Sequence, residues 1–229
     1  MNKKIFIACD TTNLNFIKKL IEKSQTKKLD IGYKFGLEFF NSKKGRNFIY
    51  KLKDKKIWLD LKLFDIPNTV YSSIIALKDL NNLKYLTVHA SGGLEMMIAA
   101  KKAAKKINKK IKILGVTILT SFSEKSLKKI GHTRSIKKIV KLQAKLIRSA
   151  GLDGIVCSGH EAKIIKQTFK NFEIITPGIR FDGDKKQDQK RIMSPKQAFK
   201  NGATAIVIGR SITKGNIENN LQKLIKLLN

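Results

Sequence analysis

Eight short runs rich in β-branched and aromatic residues recur along the 229 residues, interleaved with longer stretches whose apolar positions fall on one helical face. This rhythm favours one parallel sheet over two separate domains. The strands are expected at Ile5 to Cys9, Ile31 to Phe35, Ile57 to Leu61, Tyr85 to His89, Lys112 to Leu119, Gly154 to Cys157, Glu173 to Thr176 and Ala205 to Ile208. Helices are expected from about Asn13 to Ser24 and over Gly36 to Lys53, the latter in two pieces broken near Lys44-Gly45. Others are expected from about Asn68 to Leu80, from Ser91-Gly92-Gly93 to Ile107, from Ser135 to Ala150 with Gly151 as its stop, and from Ile217 to Leu228. Eight β/α units in this length predict an α/β fold of the (β/α)8 TIM-barrel type, residues 1–229 forming one domain. An open doubly wound sheet usually has fewer strands.

The most unusual of these strands is the third, Ile57-Trp58-Leu59-Asp60-Leu61-Lys62-Leu63-Phe64-Asp65-Ile66-Pro67-Asn68-Thr69, which sets three charges into a run that otherwise reads as buried. Side chains two apart on a strand share a face, so Asp60 and Lys62 should project together from its C-terminal end. Asp65 lies beyond the strand, before a turn. Pro67 disfavours helix at Ile66, and Asn68 or Thr69 is placed to cap a helix starting near Val70. A bare D-x-K-x-x-D also fits a solvated rim lysine among loop acids. As a charge array, it would hold Lys62 protonated between carboxylates and ready to deliver its proton.

In a barrel, the residues that matter for chemistry lie at the C-terminal strand ends. Those ends supply Asp10, Lys34, the charged trio, His89, Thr120-Ser121, Pro177-Gly178-Ile179-Arg180 and Gly209-Arg210. Ile208-Gly209-Arg210-Ser211 reads as a phosphate-binding end: glycine allows close backbone approach, a helical turn points N–H groups outward, and arginine supplies a forked donor. The polar loop at 178–194 is long for a compact barrel, so it is either functional or disordered; at this end of a barrel the functional reading is favoured, a phosphate-binding lid.

Together these islands resemble the orotidine 5'-phosphate decarboxylase family. They run in order from Ala8-Cys9-Asp10 through Lys34, Asp60-Leu61-Lys62-Leu63-Phe64-Asp65-Ile66-Pro67-Asn68-Thr69, Val88-His89-Ala90, Leu119-Thr120-Ser121, Thr176-Pro177-Gly178-Ile179-Arg180 and Asp188-Gln189-Lys190-Arg191 to Ile208-Gly209-Arg210. The resemblance implies that Asp10 and Lys34 hold the ribose hydroxyls, that Lys62 donates the proton, and that Asp60 and Asp65 complete the charged network. It further implies that Thr120 and Ser121 meet the pyrimidine, that Arg180, Gln189, Gly209 and Arg210 take the phosphate, and that Ile66 and Thr69 join the substrate-binding set. It implies a homodimer with active sites at the interface, where Asp65 enters the neighbouring subunit's site. No cofactor is expected. Phe64 departs from the histidine that bacterial relatives often carry there.

Two alternatives come from elsewhere. Sugar-phosphate relatives, the 3-keto-L-gulonate 6-phosphate decarboxylases and hexulose phosphate synthases, share D-x-K-x-x-D but use magnesium; the Ile66-Pro67-Asn68-Thr69 continuation and the Gln189-bearing loop argue against them. The formal charge of +31 raises the other, a nucleic-acid-binding barrel. Its lysines, though, recur along nearly every expected helix without interleaved aromatics, so no specific nucleic-acid partner is expected. His89, His132 and His160 lack zinc spacings, and Cys9 and Cys157 lack a disulfide framework, so neither metal nor disulfide is expected. No run approaches the roughly 20 apolar residues of a membrane helix, and Ile5 to Cys9 is too short for a signal core. No membrane partner and a cytoplasmic location are expected.

Overall fold

The computed structural model describes residues 2–169, 171–184 and 191–229. Eight parallel strands close on themselves in sequence order: β1 (Lys4–Ala8), β2 (Asp30–Gly36), β3 (Ile57–Leu63), β4 (Leu83–His89), β5 (Lys112–Val116), β6 (Gly154–Val156), β7 (Glu173–Ile179) and β8 (Ala205–Ile208), with β8 pairing back on β1. Around them lie α1 (Leu14–Lys23), α2 (Leu37–Asn41), α3 (Gly45–Lys51), α4 (Pro67–Ile75), α5 (Gly93–Ile107), α6 (Glu124–Lys129), α7 (Ile136–Ser149), α8 (Gly159–Thr168), α9 (Pro195–Lys200), α10 (Arg210–Thr213) and α11 (Ile217–Leu228). The expected (β/α)8 TIM barrel is the observed fold.

Period-two alternation divides the core in two. Ile5, Ile7, Tyr33, Phe35, Ile57, Leu59, Leu86, Val88, Ile206 and Ile208 face outward and join the large cluster under the helices. Phe6, Ala8, Trp58, Tyr85, Leu114, Val116, Val156, Ile175, Ala205 and Val207 face inward and fill the barrel. Inside, the Phe6 ring meets both Trp58 and Tyr85 edge-on, with centroids 4.9 and 5.0 Å apart, a geometry that aligns ring edges with ring faces. Below this layer, Glu173 accepts from Lys4 at 2.5 Å, from Lys112 at 2.6 Å and from the Tyr85 hydroxyl at 2.8 Å. These groups close the N-terminal end of the barrel.

The helices dock as their apolar spacing dictates. α7 buries Ile136, Ile139, Val140, Ala144 and Ile147, is capped by Ser135, and ends where Gly151 adopts φ +68°. Its fit to the sheet depends on Gly115 of β5: a β-carbon there would lie 2.4 Å from Ile147 Cγ1. Several boundaries differ from the sequence expectation. β3 runs two residues further, to Leu63, and β5 stops at Val116 rather than Leu119. α4 starts at Pro67 with Ile66 as its extended N-cap, not near Val70 behind Asn68 or Thr69, because proline at the first helical position has its φ preset and needs no N–H partner. The same helix ends at Ile75, and the chain reaches Leu80 through turns.

Glu173 is mostly buried, and burial alone would raise its carboxyl; hydrogen bonds and charge from Lys112 and Lys4 outweigh this and hold it below the usual carboxylate range. A carboxylate depressed in the fold contributes stability above its unfolded pKa of about 4.3, and loses it as pH falls through the lower folded value. Glu173→Gln is therefore expected to cost about 2 kcal/mol at pH 7, lowering the melting midpoint by about 4–8 °C, with the difference from the unmutated chain vanishing at acid pH. Thermal unfolding at pH 7 and pH 3 checks this; equal midpoints at pH 7 would remove Glu173 as the organiser of the closed end.

Candidate active site

At the opposite end, the strand termini surround a cavity of about 830 Å³, within the size range of small-molecule sites. Asp10, Lys34, Asp60, Lys62, Thr120, Ser121, Arg180, Gly209 and Arg210, all expected from the sequence, line it. Along one wall their charges alternate. Lys62 Nζ lies 2.9 Å from Asp60 Oδ2, Lys34 Nζ lies 3.4 Å from that same oxygen, and Lys34 Nζ lies 3.2 Å from Asp10 Oδ1. Asp60 and Lys34 are nearly buried, whereas Lys62 is one-third exposed and Asp10 mostly exposed, so the row is buried at its centre and reaches water at both ends.

Burial disfavours both charged forms at the centre of this row, yet the neighbours prevail. The ammoniums of Lys34 and Lys62, with hydrogen bonds from Lys62 and Thr87, hold the Asp60 carboxyl below its ordinary range against desolvation. Asp60 and Asp10 likewise hold the Lys34 ammonium above its ordinary value. Both groups are charged at neutral pH. At the end of β4, burial and the Lys62 charge push the His89 imidazole down, and its Nδ1 accepts the Ser91 N–H at 3.3 Å, so this histidine is neutral. The Phe64 ring stacks on it, with centroids 5.7 Å apart.

The second half of the motif faces elsewhere. Asp65, Ile66 and Thr69 are exposed and do not line the cavity of their own chain. Asp65 Oδ1 instead accepts the Ile66 N–H at 2.7 Å, within its own turn. Beside it Phe64 and Ile66 are 63% and 67% exposed, large apolar side chains left in water. Gln189 lies outside the described residues, as does the centre of the loop at 178–194.

The described ends of that loop are tied down. Arg180 N–H donates to Met193 O at 3.0 Å and Met193 N–H to Gly178 O at 3.2 Å. Arg191 then pairs with Glu161 of α8 at 2.6 Å and donates to the carbonyls of Ile118 and Leu119. The sequence names Arg191 but gives no sign of this partner. Nor does it single out Thr87, an apparently ordinary strand threonine, which is fully buried and donates to Asp60 Oδ1 at 3.0 Å. Among the described residues no three His, Cys, Asp or Glu side chains converge as a metal-binding group, and no helix is long and apolar enough to cross a membrane.

The family model for the orotidine 5'-phosphate decarboxylase / HUMPS family matches residues 3–223. The chain belongs to this family. Relatives named orotidine 5'-phosphate decarboxylase match nearly end to end: 45% identity to that of Buchnera aphidicola subsp. Acyrthosiphon pisum (strain Tuc7), over 96% of this chain and 92% of the relative, and 40% to that of Fusobacterium nucleatum, over 99% and 95%. Among solved structures, the crystal structure of orotidine 5'-phosphate decarboxylase from Lactobacillus acidophilus superposes with a TM-score of 0.84 at 33% identity, covering all of both chains. Such membership makes the chain an enzyme of the carboxy-lyase class.

Because one Asp60 oxygen serves two ammoniums, its loss should be felt in stability. Asp60→Asn is expected to cost about 2 kcal/mol, less than a fully buried pair because Asp10 still faces Lys34 and Lys62 can turn to water. Urea denaturation at pH 7 measures it; an unchanged or higher midpoint would mean that the row is held together by other contacts.

Proposed function

We propose that the chain decarboxylates orotidine 5'-phosphate to UMP, the last step of de novo UMP synthesis, without a cofactor and with Lys62 as proton donor. The observation that carries this is the alternating row Lys62–Asp60–Lys34–Asp10 on the cavity wall, in a chain whose full-length relatives carry that name. When the bond between C6 and the carboxylate breaks, carbon dioxide leaves and the electron pair remains at C6, in the ring plane, where the π-system cannot spread it. A positioned ammonium opposes that charge as it develops and then gives its proton to C6; the neutral amine regains one from water. Asp60 fixes the ammonium, and its own negative charge stands near the substrate carboxylate. Lys34 and Asp10 hold the ribose hydroxyls, Thr120 and Ser121 meet the pyrimidine, and Arg180, Gly209 and Arg210, with Gln189, take the phosphate. Binding energy from ribose and phosphate, remote from C6, is thus available to assist the chemical step.

Asp65, Ile66 and Thr69 fit this function in a homodimer in which each turn enters the neighbouring subunit's cavity. The exposure of Phe64 and Ile66 beside Asp65 supports it, since adjacent large apolar side chains in water mark a surface that a partner covers.

The direct test follows loss of orotate absorbance with purified, chelator-treated protein. Turnover is expected to persist; dependence on added magnesium would favour the sugar-phosphate branch, and no turnover would reject the proposal. Lys62→Ala is expected to lower kcat more than about 10³-fold while the protein stays folded and binds UMP, and a variant keeping most of its kcat would remove Lys62 as donor. For the shared site, inactive Lys62→Ala and Asp65→Ala subunits are mixed. Half of the reassembled dimers then carry one intact site, so activity should recover to about one quarter of the unmutated value. Demonstrated subunit exchange without recovery would place Asp65 in its own subunit's site.

A further inference from the structure

Lys62 is the single non-glycine residue among those described with a positive φ, +47°. In the left-handed region the β-carbon of an L-residue crowds the following carbonyl, at a cost of about 1–2 kcal/mol, and such strain persists only where the surroundings impose it. Here the sheet itself is interrupted. The β3–β4 register passes from Leu59↔Leu86 to Leu63↔Val88, so that Asp60, Leu61 and Lys62 together stand against the single residue Thr87. Over those residues the backbone ladder gives way, and the Lys62 N–H goes instead to a side chain: Thr87 Oγ1 accepts it at 2.9 Å. The hydroxyl's own hydrogen goes to Asp60 Oδ1 at 3.0 Å, leaving Oδ2 for the two ammoniums. One buried hydroxyl therefore grips both members of the Asp60–Lys62 pair, one by its backbone and the other by its carboxylate.

We propose that Thr87 is a positioning residue for the decarboxylation: its hydroxyl stabilises the left-handed turn of the backbone that brings Lys62 Nζ onto Asp60 Oδ2, and fixes the carboxylate plane against which that ammonium is aimed. This rests on Lys62 being the proton donor in the reaction proposed above. Thr87 does not line the cavity. Its contribution belongs to the geometry of the ammonium, and so to kcat rather than to nucleotide binding, which Arg180, Arg210, Lys34 and Asp10 carry. Valine has the same shape and cannot donate or accept; serine keeps the hydroxyl and loses only a methyl group.

The experiment compares Thr87→Val and Thr87→Ser with the unmutated enzyme in kcat and KM for orotidine 5'-phosphate, and in UMP affinity. Thr87→Val is expected to lower kcat about 10- to 100-fold, the scale of a misplacement near 1 Å, with KM and UMP affinity within about twofold; Thr87→Ser is expected to stay within about threefold in kcat. The acid limb of kcat/KM should move to higher pH in the valine variant, because Asp60 has lost a donor that favours its ionised form. A valine variant within twofold of the unmutated kcat overturns the proposal, as does a serine variant that falls as far as valine, which would assign the effect to packing. If Thr87→Val does not yield folded protein, Thr87→Ala is held to the same limits. Absence of turnover in the unmutated enzyme would reject the decarboxylase function itself. In that event the crystal structure of the valine variant decides, and Lys62 retaining its left-handed backbone and its contact with Asp60 would overturn the role of Thr87.

Discussion

Two ammonium groups stand together at the mouth of the barrel because one carboxylate oxygen, Asp60 Oδ2, accepts both. Lysines this close repel, and burial disfavours the charge of Lys34. Asp60 resolves both problems from the inside, and Asp10 adds a second counter-charge to Lys34 nearer the water. The row of two positive and two negative charges is held by its own ion pairs and hydrogen bonds, so little reorganisation is needed when charge develops on a bound molecule. The rest of the cavity wall can then be specialised for binding.

That arrangement needs a frame that does not yield, and the barrel supplies it in layers. Phe6, Trp58 and Tyr85 pack beneath the charged row, and the outer shell of isoleucines and leucines pins each strand to its helices. Above it, Arg191 ties the described end of the long loop to α8 and to the segment that follows β5. β3 departs from regular pairing with β4 at Ile57/Trp58 and again between Leu59 and Leu63, and in the second place Thr87 takes over the missing ladder contact to Lys62.

Much of this was legible in the sequence because it rests on periodicity and strand ends. Eight alternating runs were enough for the barrel, and the polar residues at their C-terminal ends include eight that line the cavity. Pairing at Asp60 and Lys62 was also foreseeable, but its cause was not: regular alternation brings the two side chains to one face, whereas the observed contact involves a left-handed Lys62 and a three-against-one irregularity that no local pattern encodes. Thr87 is invisible for the same reason, since a buried threonine in Leu83–His89 looks like ordinary β propensity until its partner strand is known. The start of α4 was misplaced because Asn68 and Thr69 are strong caps in isolation, while Pro67 was already able to begin the helix.

The closed lower end has a consequence for traffic. Glu173, Lys4, Lys112 and Tyr85 seal the barrel below, and the aromatic layer stops it again above them. Among the described residues the cavity is a cul-de-sac with its charged row along one side. If a small molecule is released beside Lys62 as proposed, the described residues leave it no rear exit, and it departs past whatever still occupies the mouth, by the opening through which the larger molecule entered.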